Sequence, residues 1–188
     1  LYPYAMSFVV TGLVWKWVLN PTFGLENSMH MWGFAWFELD WLVNRDLAIY
    51  AVCIAAVWQG AGFVMVLMLA GLRGIDEDIW KSLSIEGVAK WKSYIFVILP
   101  MLRPMVVTAI VLIAAGVVKV YDLILTLTSG GPGYATTTPA LYVMENFFKR
   151  ADLGQAFAAS IIMFISVVCI LAPWAFYEFY LRNKYAAN

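Results

Sequence analysis

An all-α integral membrane protein with about four spanning helices is the fold class the sequence predicts, and three observations predict it. Hydrophobic residues make up 63% of the 188-residue chain and charged ones only 13%, too apolar a balance for an ordinary soluble domain. Two runs, 47–71 and 154–177, contain no Asp, Glu, Lys or Arg, and each meets the roughly 20 apolar residues that a spanning helix needs. The lysines and arginines that remain are distributed unevenly between the loops, although the formal net charge is zero. Together these place the whole of 1–188 in one transmembrane domain.

The elements follow in order. Residues 1–19 form a first expected span, interrupted only by Lys16, whose long stem can snorkel to the interface. This run opens deep in hydrophobic sequence with no basic flank or signal-peptide pattern, so the chain is expected to be the C-terminal part of a longer protein. The loop 20–46 sets Arg45 against Glu26, Glu38, Asp40 and Asp46. The second span is 47–71, followed by a charged loop, 72–100, whose positive residues are Arg73, Lys81, Lys90 and Lys92. A third span, 101–121, begins near Arg103 and can extend past Lys119. A loop at 122–153 and a fourth span at 155–179 complete the chain, with Arg182 and Lys184 beyond. Positive residues favour the cytoplasmic side. The 72–100 loop and the C-terminus are therefore expected to face the cytoplasm, and 20–46 and 122–153 the outside; Lys149 and Arg150 oppose this only mildly.

Several function classes are excluded on residue type. Cys53 and Cys169 fall within apolar spans and read as soft packing residues, not a disulfide. His30 is the sole histidine. No cluster of His, Cys and carboxylates suggests a metal site, and no nucleophile–base pairing suggests an enzyme. The glycine-rich run Ser129-Gly130-Gly131-Pro132-Gly133 is a turn signal that lacks the lysine of a phosphate loop; Thr136, Thr137 and Thr138 follow it. Ala140 to Arg150 has the spacing of a short surface helix. No nucleic-acid partner is expected. The chain is expected to move or bind something, with membrane lipid as its surroundings.

Within the charged loop, IDEDIWKSLSIEGVAKWKSYIFVILPMLRP (75–104) opens with the pattern of a short helix. Asp76, Glu77 and Asp78 suit an N-cap and first turn facing the positive end of the helix dipole. Ile75, Ile79 and Leu83, with Trp80, form an apolar face at four-residue spacing. Gly87 is placed to end the helix. A second stretch, 88–99, runs into Pro100, and Pro100 and Pro104 kink the chain as it enters the apolar run. Such a helix can lie in the lipid interface or dock into a groove of a partner protein.

The spacing Gly87, nine residues, Val97-Ile98-Leu99-Pro100 resembles the EAA loop of importer-type ATP-binding-cassette permeases. TGLVWKWVLNPTFGLEN (11–27), VWQGAGFVMVLMLAGL (57–72) and LTSGGPGYATTTPALYV (127–143) resemble their carbohydrate branch, the maltose-transporter-like permeases. Gly87, Leu99 and Pro100 match the loop motif. At its E-A-A positions this chain has Lys81-Ser82-Leu83, and a lysine cannot accept the hydrogen bonds that glutamate could; Glu77, Asp78 or Glu86 are the available substitutes.

The resemblance implies a type I importer permease core (MetI-like) in the bacterial inner membrane. Asp78, Lys81, Ser82, Leu83, Glu86, Gly87, Leu99 and Pro100 would engage a cleft of the ATPase subunit. It also implies two ATPase subunits carrying the ATP and magnesium, with no cofactor on this chain. A second permease subunit, a periplasmic solute-binding protein and a sugar substrate complete the implied system.

Candidate pathway residues come from polar and small groups inside the spans. Charged groups there are costly and carry a functional expectation. Lys119 and Asp122 are three apart, so on one helix face they could form a structural pair or line a polar cavity with Tyr121. Gln59, in Trp58-Gln59-Gly60-Ala61-Gly62-Phe63, either bonds across a small-residue helix interface or offers its amide to a sugar beside an aromatic face. By resemblance, sugar-contacting positions fall on Gln59, Gly60, Phe63, Ile113, Gly116, Val117 and Val120. A permease for another solute, an ion-driven secondary transporter and a passive scaffold are the competing expectations.

Overall fold

The computed structural model describes residues 2–87 and 89–186, with side chains through Phe176. Every regular element among the described residues is helical. The first apolar run is broken where a span was expected. Helix α1 is the single turn Tyr2–Ala5, and α2 (Phe8–Val18) restarts after Ser7, whose hydroxyl accepts from the Val10 N–H at 3.3 Å. That cap gives the backbone a local alternative to continuing the helix, a break that hydropathy cannot register. At 11 residues, α2 is about 17 Å long, shorter than a hydrocarbon core of about 30 Å. Residues 2–19 thus form no single helix of spanning length.

A short α3 (Leu25–Met31) follows, then α4 (Ala48–Arg73). With 26 residues, α4 is about 39 Å long, enough to cross a bilayer. Its buried face is built from Ala48, Ala51, Val52, Ala55, Gln59 and Gly62; small side chains at helical spacing let neighbours approach. Helix α5 (Glu77–Ile85) projects from the next loop. The chain then re-enters as α6 (Lys90–Ser93), a π-helical turn at Tyr94–Ile98, and α7 (Leu99–Met101). Val88, the start of the expected second stretch, lies outside the described residues.

A bend of 63° at Leu102 separates this segment from α8 (Arg103–Val118). The bend falls between the two prolines, each of which removes an N–H from the helical ladder. The third apolar run therefore stops at Val118, not residue 121. Helix α9 (Asp122–Leu127), α10 (Pro139–Met144) with a π-helical continuation at Glu145–Lys149, and α11 (Leu153–Ala186) complete the chain. Among the described residues two helices, Ala48–Arg73 and the Leu153–Phe176 part of α11, are long and apolar enough to cross a membrane, and the bent pair makes a third if it acts as one span.

The core lies where α2, α4 and α9 meet. Val52 and Ala55 of α4 pack with Leu123, Ile124, Leu127 and Leu141, all at most 6% exposed. Helix α2 crosses α9 closely at Gly12: a Cβ there would run into Thr126 Oγ1 and lie 3.2 Å from the Leu123 carbonyl oxygen. By contrast, α11 exposes Phe157, Ile161, Ile162, Phe164 and Ile165, a surface for lipid or another subunit. Cys53 and Cys169 are free thiols.

Candidate functional site

The first helix of the charged loop folds as its pattern predicts. Asp76 caps α5, its Oδ1 accepting from the Asp78 N–H at 2.9 Å. Glu77 and Asp78 occupy the first turn. The helix closes when the Glu86 N–H bonds the Ser82 carbonyl at 3.0 Å and the Gly87 N–H the Ser84 carbonyl at 3.3 Å. Gly87 then takes φ +66° with no heavy atom within 4 Å of where a Cβ would stand. This left-handed conformation favours glycine. Its requirement is conformational, because the space around it is open.

Among the described residues, helix α5 is largely exposed. Asp78, Lys81, Ser82, Ser84, Ile85, Glu86 and Gly87 are exposed, Leu83 is half-buried, and Ile85 at the tip is 85% exposed. Its visible anchor is Trp80, whose ring lies 5.5 Å from that of Tyr94. Lys81, at the motif's glutamate position, bonds Asp78 Oδ1 at 3.0 Å and reaches Glu77 Oε2 at 3.8 Å. Two of the three substitute carboxylates are thus engaged within the helix, whereas Glu86 forms no ion pair among the described residues.

The root of the loop is packed more tightly than its tip. A Cβ on Gly71 would lie 2.8 Å from Leu102 Cδ2 and 2.9 Å from Met105 Cγ. The end of α4 therefore presses directly on the bend that starts α8. Leu99 is 53% exposed and Pro100 half-buried. The Val97-Ile98-Leu99-Pro100 motif coincides with the π turn, in which the Leu99 N–H reaches back to the Tyr94 carbonyl. Single π turns often mark functional sites. Gly71, Leu102 and Tyr94 were not singled out by spacing; the only sequence signal was a glycine near a helix end.

The pathway candidates divide. Gln59 is 4% exposed, and its Nε2 donates to the Met6 carbonyl at 2.7 Å. The amide thus bonds to the break between α1 and α2, yet among the described residues Oε1 is buried without a partner, as are Thr11 Oγ1 and Trp15 Nε1. Gly60 has open space in place of a Cβ, and the Phe63 ring sits 5.7 Å from Tyr4. Gly116 is exposed and likewise unobstructed.

The expectation that Lys119 and Asp122 share a helix face is corrected. Lys119 is the C-cap of α8, and Asp122 opens α9 after a break at Val120 and Tyr121. Both are exposed, and they form no ion pair. The helix ends there because the Lys119 N–H bonds the Gly116 carbonyl at 3.0 Å, tightening the last turn. Val120 and Tyr121 instead pack against the α4–α9 core.

The glycine-rich turn is stitched by its threonines. Thr136 Oγ1 lies 2.7 Å from Thr128 Oγ1 and donates to the Gly131 carbonyl at 2.9 Å. Thr138 caps α10 and donates to the Val120 carbonyl at 2.9 Å. These hydroxyls are committed to the loop itself. Beside them a cavity of about 290 Å³, which no motif announced, opens between α10 and α11, lined by Thr137, Thr138, Tyr142, Ile162, Met163 and Ser166.

Residues 1–181 match the family model described as binding-protein-dependent transport system inner membrane component. The trehalose/maltose transport system permease protein MalF of Thermococcus litoralis is 32% identical over 89% of this chain and 56% of its own length. The sulfoquinovosyl glycerol transport system permease protein SmoG of Agrobacterium fabrum is 28% identical over 93% of this chain and 56% of its own. Among solved structures, a bacterial ABC transporter involved in the import of the acidic polysaccharide alginate aligns with a TM-score of 0.79 at 21% identity, covering 97% of this chain and 63% of that one. The chain spans less than two thirds of the length of each.

Proposed function

This chain belongs to the family of binding-protein-dependent transport system inner membrane components, and from that premise we propose that it is a transmembrane subunit of an ATP-driven sugar importer in a bacterial inner membrane. In this reading α5 docks into a cleft of a cytoplasmic ATPase dimer, which binds the ATP and magnesium. A second permease subunit completes the pathway, and a periplasmic binding protein delivers the solute. The sugar assignment is supported by the names of the trehalose/maltose and sulfoquinovosyl glycerol relatives.

One observation carries the coupling role: α5 is a capped helix with an exposed apolar tip, while its root is clamped where Gly71 meets Leu102. A push on an exposed helix moves the spans only if the joint beneath it does not yield, and close-packed side chains transmit displacement. Motion of the ATPase would pass from α5 to α4 and the bent α8, switching the pathway between faces.

On the pathway itself, Gln59 Oε1 is the acceptor that a sugar hydroxyl, or a rearranged helix, would satisfy. Gly60, Phe63, Gly116, Lys119, Val120, Tyr121 and Asp122 complete the proposed lining; the separated Lys119 and Asp122 act there as individual charges.

The test is co-purification of the permease with a separate ATPase chain, followed by uptake of labelled mono- and disaccharides in proteoliposomes holding the full set of subunits. ATP-dependent uptake of a sugar is expected. Absence of any ATPase partner would remove the importer reading; uptake of a non-sugar solute alone would remove only the substrate class.

A further inference from the structure

We propose that the loop segment 31–36 is an interfacial membrane anchor, inserting its aromatic side chains into the headgroup–acyl boundary beside the N-terminal end of α4. Met31, Trp32, Phe34 and Trp36 are 72%, 73%, 47% and 78% exposed. The rings of Phe34 and Trp36 meet with centroids 6.3 Å apart, and exposed apolar patches mark interaction sites.

The patch is presented by a braced loop. His30 Nε2 lies 2.8 Å from the Phe37 carbonyl oxygen, and the Leu39 N–H donates to Glu26 Oε2 at 3.0 Å. The Phe34 N–H bonds the Met29 carbonyl at 3.0 Å. Below this tie, Leu39 packs with Leu19 and Ala51, so the loop's root is fixed to the end of α2 and the first turn of α4. The exposed rings project from that seat.

Three features favour lipid as the occupant. The first is position. Helix α4 at about 39 Å exceeds a hydrocarbon core of about 30 Å, so its ends stand at headgroup level, where Trp is enriched. The second is continuity: Ile49, Tyr50, Ile54 and Val57 carry the exposed apolar surface down α4 from the same end. The third is ring geometry. Phe34–Trp36 and Trp36–Phe37 meet edge to face, at 87° and 79°. These rings offer no coplanar platform for a sugar, and Met31 adds plain apolar volume. The loop sets one arginine against four carboxylates over 20–46. Attraction to anionic headgroups therefore cannot drive the contact, and insertion should be hydrophobic and insensitive to salt.

The test uses the permease in nanodiscs of zwitterionic phosphatidylcholine, with Cys53→Ala and Cys169→Ala as background. A nitroxide is placed at Trp36→Cys and, separately, at Trp32→Cys, and its collisions with oxygen and with a water-soluble nickel chelate are measured. Oxygen should exceed nickel at both positions. Nickel in excess would mean a water-facing patch, and protection from both relaxants would mean a protein partner; either overturns the proposal. A second measurement spares the cysteine replacements. Brominated acyl chains should quench the native protein's tryptophan emission, and the Trp32→Phe/Trp36→Phe variant should lose part of that quenched amplitude. Exchanging half the lipid for phosphatidylglycerol, or raising the salt, should leave the amplitude unchanged. Equal quenching with and without the two indoles would overturn the proposal.

Discussion

Gly87 allows conformation and volume to be separated experimentally. The residue sits at φ +66°, and a Cβ added there would find no heavy atom within 4 Å, so added volume meets nothing in this chain. An L residue in the left-handed region costs about 1–2 kcal/mol, a factor of roughly 5 to 30 in the population of the closing turn. Asn tolerates the region better than Ala, and a β-branched residue is the poorest fit. The series Gly87→Asn, Gly87→Ala, Gly87→Val should therefore weaken the turn in that order. The assay is solute taken up per ATP hydrolysed in proteoliposomes of the assembled importer, with membrane yield as the control. Uptake per ATP should fall along the series by up to about tenfold at Val, with yield unchanged. If Asn proves as damaging as Val while Ala is spared, the loss tracks volume and the socket on the partner is the cause. Wild-type coupling in all three would refute the role of the turn.

Other substitutions probe the joint, the core and the pathway. Ile85→Ser should leave the melting temperature of the purified permease unchanged, because that side chain is 85% exposed, yet weaken capture of the ATPase chain in pull-downs. Gly12→Ala should lower thermal stability in detergent by about 1–3 kcal/mol through overpacking against Thr126, and Thr126→Ala should recover part of it. Thr138→Val removes both the α10 cap and the bond to the Val120 carbonyl, an expected loss of about 1–2 kcal/mol that Thr138→Ser should largely restore. Gln59→Met keeps the side-chain length, loses the bond to Met6 and removes the unpartnered Oε1. The two changes oppose each other, so melting should shift by less than about 1 kcal/mol; a fall in uptake at unchanged melting would place the amide on the solute path.

The amino-acid sequence by itself determined the class and the projecting helix. Uncharged apolar runs as long as 47–71 and 154–177 read as helices where they meet lipid, since a helix satisfies its backbone groups within the segment. Asp76, the Ile75-Ile79-Leu83 face and Gly87 were legible because caps and apolar spacing act over a few neighbouring residues. Only the tertiary structure decided what depends on distant contacts. The run 1–19 looked continuous, but Ser7 divides it; α1 packs on α4, whereas α2 packs on α9 as well as α4. Lys119 and Asp122 have the spacing of a helical pair, yet the turn at Lys119 closes early and Thr138, eighteen residues beyond Val120, holds the break. Gln59 was visible as an amide within an apolar run, but its bond to a carbonyl 53 positions away was not. Hydropathy and spacing report what each segment prefers alone; where a helix stops inside a membrane-like chain is set by which neighbour supplies its last hydrogen bonds.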